Sequence, residues 1–271
     1  MSWPAWIGIA VVAEATEQLL NRLYLSKISQ YWEFLLGYSF AAVLISLVLL
    51  SGDAHFAKMT GGTFLLLLLS GVFWFFTYLF NARAYQQVEV SLTSLLMQIQ
   101  VVLVFFGGIV LFAEPLTIGK LFGTALIVGG ISLRGTSFGR ASPHGLMFKL
   151  LAIVAGAAGF LTDKKLTALT APAMIQLWSY IVPTLLIVIL QPSRIATAYR
   201  LARDLNFANL GVGAINALVA YALLHAFATR TSRPCTRSTK STLFSRFLPP
   251  TFCLEKAAVY GRSCFRPERH F

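Results

Sequence analysis

Ala10-Val-Val-Ala-Glu-Ala-Thr-Glu-Gln-Leu-Leu-Asn-Arg-Leu-Tyr24 and Ala152-Ile-Val-Ala-Gly-Ala-Ala-Gly-Phe-Leu-Thr-Asp-Lys-Lys-Leu166 read as two versions of one segment. Ala10, Val12, Ala13, Ala15 and Leu19 recur identically 142 residues later, and Arg22 is matched by Lys164. A five-helix membrane unit starts at the first stretch, restarts at the second and stops before the copy is finished. Five spans force a second copy to insert upside down, and a cavity between inverted copies can open to either side of a bilayer. The expected architecture is an all-α polytopic membrane bundle of two inverted five-helix repeats, the second incomplete. Residues 1–134 form the first repeat, 135–144 a linker, 145–228 the partial second repeat, and 229–271 a basic, unrelated tail.

Composition sets the solvent. At 57% hydrophobic and 12% charged, the chain is too apolar for a soluble domain of 271 residues. Apolar runs near 3–25, 32–51, 62–82, 90–113, 116–134, 145–162, 172–191 and 207–228 predict eight spanning helices, each near the ~20 residues that a hydrocarbon core of about 30 Å requires. The runs are continuous, which excludes alternating barrel strands. The first is not a cleavable signal peptide, because it lacks a basic start and Glu14 and Glu17 interrupt it.

The net charge of +12 does not mark a nucleic-acid protein, because the tail carries most of it. Residues 230–271 hold nine Lys/Arg against Glu255 and Glu268, together with all three cysteines, Cys235, Cys253 and Cys264. Their spacing fits no zinc pattern, and an odd number fits no disulfide framework. No metal or other cofactor is expected. Loop charge fixes no orientation. Over residues 1–229 the Lys/Arg balance favours an external N-terminus by nine to four, and adding the tail reverses it to thirteen against nine.

From Ala84-Tyr-Gln-Gln-Val-Glu-Val-Ser-Leu-Thr-Ser-Leu-Leu96 through Leu111-Phe-Ala-Glu-Pro-Leu-Thr-Ile-Gly-Lys-Leu-Phe-Gly-Thr-Ala-Leu-Ile-Val-Gly-Gly130 the chain resembles EamA-type drug/metabolite transporters. In that family a fourth span ends in Gly-Glu or Ala-Glu and leads into a Gly-rich fifth helix; here Ala113-Glu114 and Gly119, Gly123, Gly129 and Gly130 match. The resemblance covers 3–228 and is strongest over 71–134. It implies ten helices in two inverted bundles and a carrier of small metabolites, amino acids, purines or drugs. It also implies a plasma or bacterial inner membrane, a small-molecule substrate and the lipid bilayer as partners. Oligomeric state is not legible.

Glu14 and Glu17 stand three residues apart, with Asn21 one turn further on the same face. Glu14 is roughly 16 Å into a helix that begins at Trp3, near the midplane. A carboxylate there costs about 2.5–3.5 kcal/mol on insertion scales, so it faces a cavity or a partner. The Ala13-Glu14 context resembles the first helix of small multidrug-resistance transporters, which implies proton or cation coupling at Glu14; the alternative is a carboxylate bonded between helices. Gly156 and Gly159 occupy the matching positions of the second copy, so acidic function is expected in one half only.

Trp74, Tyr78 and Asn81 form a second face, suited to planar or cationic substrates or to the interfacial belt. Gln98 is the substrate-binding candidate of the fourth span and Gln100 the structural one. Tyr180, which shares a face with Gln176 and Pro183, and Asn216 are the cavity candidates of the second half. Glu114 is read as capping the fifth helix, and the Gly-rich faces as packing surfaces. His55, His144 and His225 lie in or next to different loops, with no nucleophile or metal-spaced acids beside them, which excludes an enzyme. A non-transporting interaction protein is the alternative class.

The tail is expected to be a reading-frame accident that leaves this form impaired by loss of two helices. Ser, Phe, Cys and Tyr codons mostly begin with U, so shifting the frame by one base moves that U to the second position, which always encodes an apolar residue. The shifted frame can place Gly-Glu at 255–256, where the repeat offset from Glu114 requires it. Sequencing the gene checks this: another frame should continue for about forty apolar-rich codons past position 229.

Overall fold

The computed structural model describes residues 3–25, 31–52, 60–88, 90–113, 116–133, 142–204 and 208–231. Glu89, Glu114, most of the linker and the tail from 232 onward lie outside them, so the capping role of Glu114 and the reading of the tail do too. Every regular element among the described residues is helical. They are α1 (Trp3–Leu25), α2 (Tyr31–Gly52), α3 (Gly61–Gln87), α4 (Val90–Phe112), α5 (Ile118–Leu133), α6 (Pro143–Leu166), α7 (Pro172–Leu190), α8 (Ile195–Asp204) and α9 (Ala208–Thr231). A 3-10 turn, Pro192–Arg194, precedes α8.

Each expected span coincides with a helix, but only six are both long and apolar enough to cross a membrane: α2, α3, α4, α6, α7 and α9. Glu14, Glu17, Gln18 and Asn21 dilute α1, and the 16 residues of α5 fall short of a full crossing. The chain is a multi-pass membrane protein. Helix starts follow local chemistry. The Thr60 hydroxyl accepts the Thr63 N–H ahead of α3, and Pro143 and Pro172 occupy first positions that need no donor.

Amphipathic α8 was not expected. Its sequence, Ile-Ala-Thr-Ala-Tyr-Arg-Leu-Ala-Arg-Asp, has no long apolar run, yet Ala198 and Leu201 are buried in clusters with Leu36 and Phe34 of α2. Just ahead of it Arg194 Nη1 donates to Glu33 Oε1 at 2.8 Å, in the first turn of α2 where a carboxylate also meets the helix dipole.

The bundle is built on close helix pairs: α1 on α9, α3 on α6, α2 on α7 and α9, α3 on α7, and α4 on α6. Two glycines mark close approaches of helix to helix. A Cβ at Gly71 of α3 would lie 2.5 Å from the Val182 Cβ of α7, and one at Gly213 of α9 would lie 2.1 Å from the Tyr38 carbonyl oxygen of α2. Small residues let membrane helices touch backbone to backbone in this way. The α5 glycines correct the packing expectation. Gly119, Gly123, Gly129 and Gly130 have nothing within 4 Å of where a Cβ would stand, and the main packing partner of α5 is α4. Ala113 ends α4 with φ 49°, a left-handed conformation that favours glycine. Glycine adopts it without a Cβ clash, which suits a Gly at this point, whereas Ala113 carries its Cβ there at a cost.

Candidate functional site

Six helices, α1, α2, α3, α6, α7 and α9, enclose a cavity of about 150 Å³ with Gln100 and Met97 of α4 at its edge. On the same measure one water needs ~10–15 Å³, so the space suits a small molecule. Its walls are aromatic. Tyr78 of α3 is the centre, 5.6 Å from the ring of Tyr38, 5.7 Å from Trp74 and 6.1 Å from Tyr180, which it stacks nearly parallel.

Glu17 is the most elaborately held polar group. It is 8% exposed, and three donors converge on it. Asn21 Nδ2 and the Tyr38 hydroxyl donate to Oε1 at 3.0 and 3.1 Å, and Asn216 Nδ2 donates to Oε2 at 2.6 Å. The Tyr180 hydroxyl in turn donates to Asn216 Oδ1. One carboxylate thereby ties α1 to α2 and α9, and through Asn216 to α7. Buried charges persist only with such compensation.

Glu14 also lines the cavity and is half-buried, but its hydrogen bond is weak: Gln18 Nε2, one turn along the same helix, donates to it at 3.3 Å. The two acids of α1 therefore differ in kind. Glu17 is locked, and Glu14 is free to change partners.

Of the other expected site residues, Trp74, Tyr78, Tyr180 and Asn216 line the same cavity, as do Asn21, Asn81 and Gln176. Gln98 does not; it lies on the exposed side of α4. Gln100, expected to be structural, is the glutamine that faces inward, 5% exposed, with Oε1 lacking a hydrogen-bond partner. A Cβ at Gly156 would lie 2.6 Å from its Nε2, so that glycine makes room for it.

Acidity is not confined to the first half. Asp163 of α6 is 4% exposed and lines the cavity, accepting from the Ser70 hydroxyl on Oδ1 and from Trp74 Nε1 at 2.9 Å on Oδ2. It stands 142 residues after Asn21, one turn beyond the glycines compared with Glu14 and Glu17. Sequence reading also passed over Tyr38, although Tyr38 and Tyr180 are themselves 142 residues apart. Three carboxylates among aromatic rings form a surface for a cationic or hydrogen-bond-donating group.

Among known proteins, residues 1–135 match the EamA-like transporter family. Its members are transporters of the drug/metabolite superfamily, not enzymes. No curated protein matches the chain.

Proposed function

With residues 1–135 an EamA-like transporter domain, we propose that the chain is a secondary transporter of small metabolites or drugs, working by alternating access between inverted repeats. In this reading α1 and α5 join the six long helices as spans, the membrane is a plasma or bacterial inner membrane, and a proton or cation couples at Glu14. Glu17, Trp74, Tyr78, Tyr180 and Asn216 form the binding cavity around it; Gln98 takes no part.

The observation that supports the proposal is a cavity lined by matching helices of both halves of the chain, α1, α2 and α3 with α6, α7 and α9. The 142-residue offset relates α1 to α6, α2 to α7 and α3 to α9. Exchanging the copies turns the α1–α9 pair into α6–α3, turns α2–α9 into α7–α3, and leaves α2–α7 as itself; all are packed pairs. Two of the close approaches obey the same rule, since Gly71 and Gly213 are 142 residues apart. So do the contacts of the site. Glu17 meets Asn216, and the equivalent Gly159 meets Trp74, with a Cβ there 3.3 Å from the indole. In inverted repeats, packing of this kind lets one set of contacts trade places with its mirror as the cavity opens to either side. A membrane protein serving only to hold partners together needs no such cavity.

Accessibility tests the proposal. With Cys235, Cys253 and Cys264 replaced by serine, Tyr78→Cys places one thiol at the centre of the cavity. A membrane-impermeant maleimide should label it from either face of oriented vesicles. Labelling from one face only, under every substrate and ion condition tried, would overturn alternating access.

A further inference from the structure

Lys149 is wholly buried, at the seventh residue of α6. Its Nζ donates to Asn81 Oδ1 at 2.8 Å and lies 5.2 Å from the ring centroid of Tyr85. No carboxylate pairs with it among the described residues. Burying an ammonium costs several kcal/mol, and one amide and one ring are thin compensation. A buried charge left short of partners inside a bundle marks function rather than stability.

The geometry says how that charge reaches the cavity. An ammonium only donates, so Asn81 must turn its carbonyl oxygen to Lys149. The amide orientation is thereby fixed. The two hydrogens on Asn81 Nδ2 are claimed by no described residue, and Asn81 lines the cavity. They are the donors it offers there, strengthened by the cation behind the amide. The position along α3 completes the picture. Tyr78, beside the Glu17 network, is three residues before Asn81, a rise of about 4.5 Å. A cation-attracting region and a donor region thus stand roughly one helical turn apart on one wall.

We propose that Asn81, oriented by Lys149, is an anion-binding subsite that receives a carboxylate of the transported molecule, whose ammonium end faces the cavity acids. The proposal rests on the reading of the cavity as the substrate site. Asn81 is the binding residue, and Lys149 positions it.

The test uses the full chain in lipid nanodiscs and two aromatic probes that differ by one carboxylate, phenethylamine and phenylalanine, titrated by calorimetry. Phenylalanine should bind roughly tenfold tighter or more, the worth of hydrogen bonds to a charged group. Lys149→Met and Asn81→Ala should each bring the two affinities together, and Lys149→Arg, which also only donates, should restore part of the gap. Equal affinities in the unaltered protein, or a full preference retained in Lys149→Met, would overturn the subsite and leave the cavity reading standing. Binding of neither probe by the unaltered protein would overturn both. A variant that binds neither has lost its fold, and the unaltered protein then decides alone.

Discussion

Glu14→Gln should abolish gradient-driven transport in proteoliposomes and leave the thermal unfolding temperature unchanged. The two halves of this expectation come from one fact, that Glu14 has little to lose structurally. Its bond from Gln18 is long and local, and a glutamine oxygen can accept the same bond. What glutamine cannot do is release a proton or attract a cation. In the second copy the equivalent Gly156 lets Gln100 close in, whereas on α1 the position keeps a half-buried carboxylate facing the cavity. In the proposed transporter, where α1 spans, a carboxylate with room and only a weak local partner is where an ion can bind and leave. Substrate counterflow, which needs no ion gradient, should survive in Glu14→Gln and separates lost coupling from lost binding. Unchanged gradient-driven flux across a range of pH would reduce Glu14 to a structural residue.

Most of the helical framework was legible because lipid leaves few choices. A run of about twenty apolar residues is a helix wherever it falls, and the eight runs became eight helices. The failures are instructive in the same terms. Helix α8 escaped because its signal is a face rather than a run: two buried residues, Ala198 and Leu201, amid Thr197, Arg200 and Arg203. Gln98 and Gln100 lie on different faces, since two residues along a helix turn by about 200°, and the central depth of Gln98 made it the substrate candidate. Depth could not choose between them. Packing against Gly156 did.

Asp163 was missed for another reason. At the positions equivalent to Glu14 and Glu17 the second copy carries Gly156 and Gly159. The buried acid stands one turn further on, and its partners Ser70 and Trp74 come from the other half of the sequence. Repeats conserve the packing of helices more strictly than the chemistry carried on them. A carboxylate can move by a turn as long as its donors move with it. The site was therefore half legible: its aromatic face and both acids of α1 could be read directly, while the network joining them depends on α2, α6 and α9 arriving at the same place.

Glu17→Ala should destabilise the protein by about 3 kcal/mol or more, since it strands the Tyr38 hydroxyl, Asn21 Nδ2 and Asn216 Nδ2 at once, and each buried donor left unmade costs roughly 1–3 kcal/mol. Glu17→Gln is the sharper experiment. Its oxygen can keep Tyr38 and Asn21, but its amide group then meets the Asn216 amide, donor against donor. Asn216 can turn over only if the Tyr180 hydroxyl, which now donates to its oxygen, reorients to accept from its amide instead. Relief requires Tyr180 to give up that bond, so Glu17→Gln should weaken the α1–α9 contact and lower the unfolding temperature by less than Glu17→Ala. Adding Tyr180→Phe frees Asn216 to present its oxygen to the new amide. The double variant should then unfold at a higher temperature than Glu17→Gln alone, although Tyr180→Phe by itself lowers stability. Such a crossing of signs is what a shared network produces and independent sites do not. Additive losses in the double variant, or an unchanged unfolding temperature in Glu17→Ala, would show that the carboxylate does not hold the helices together.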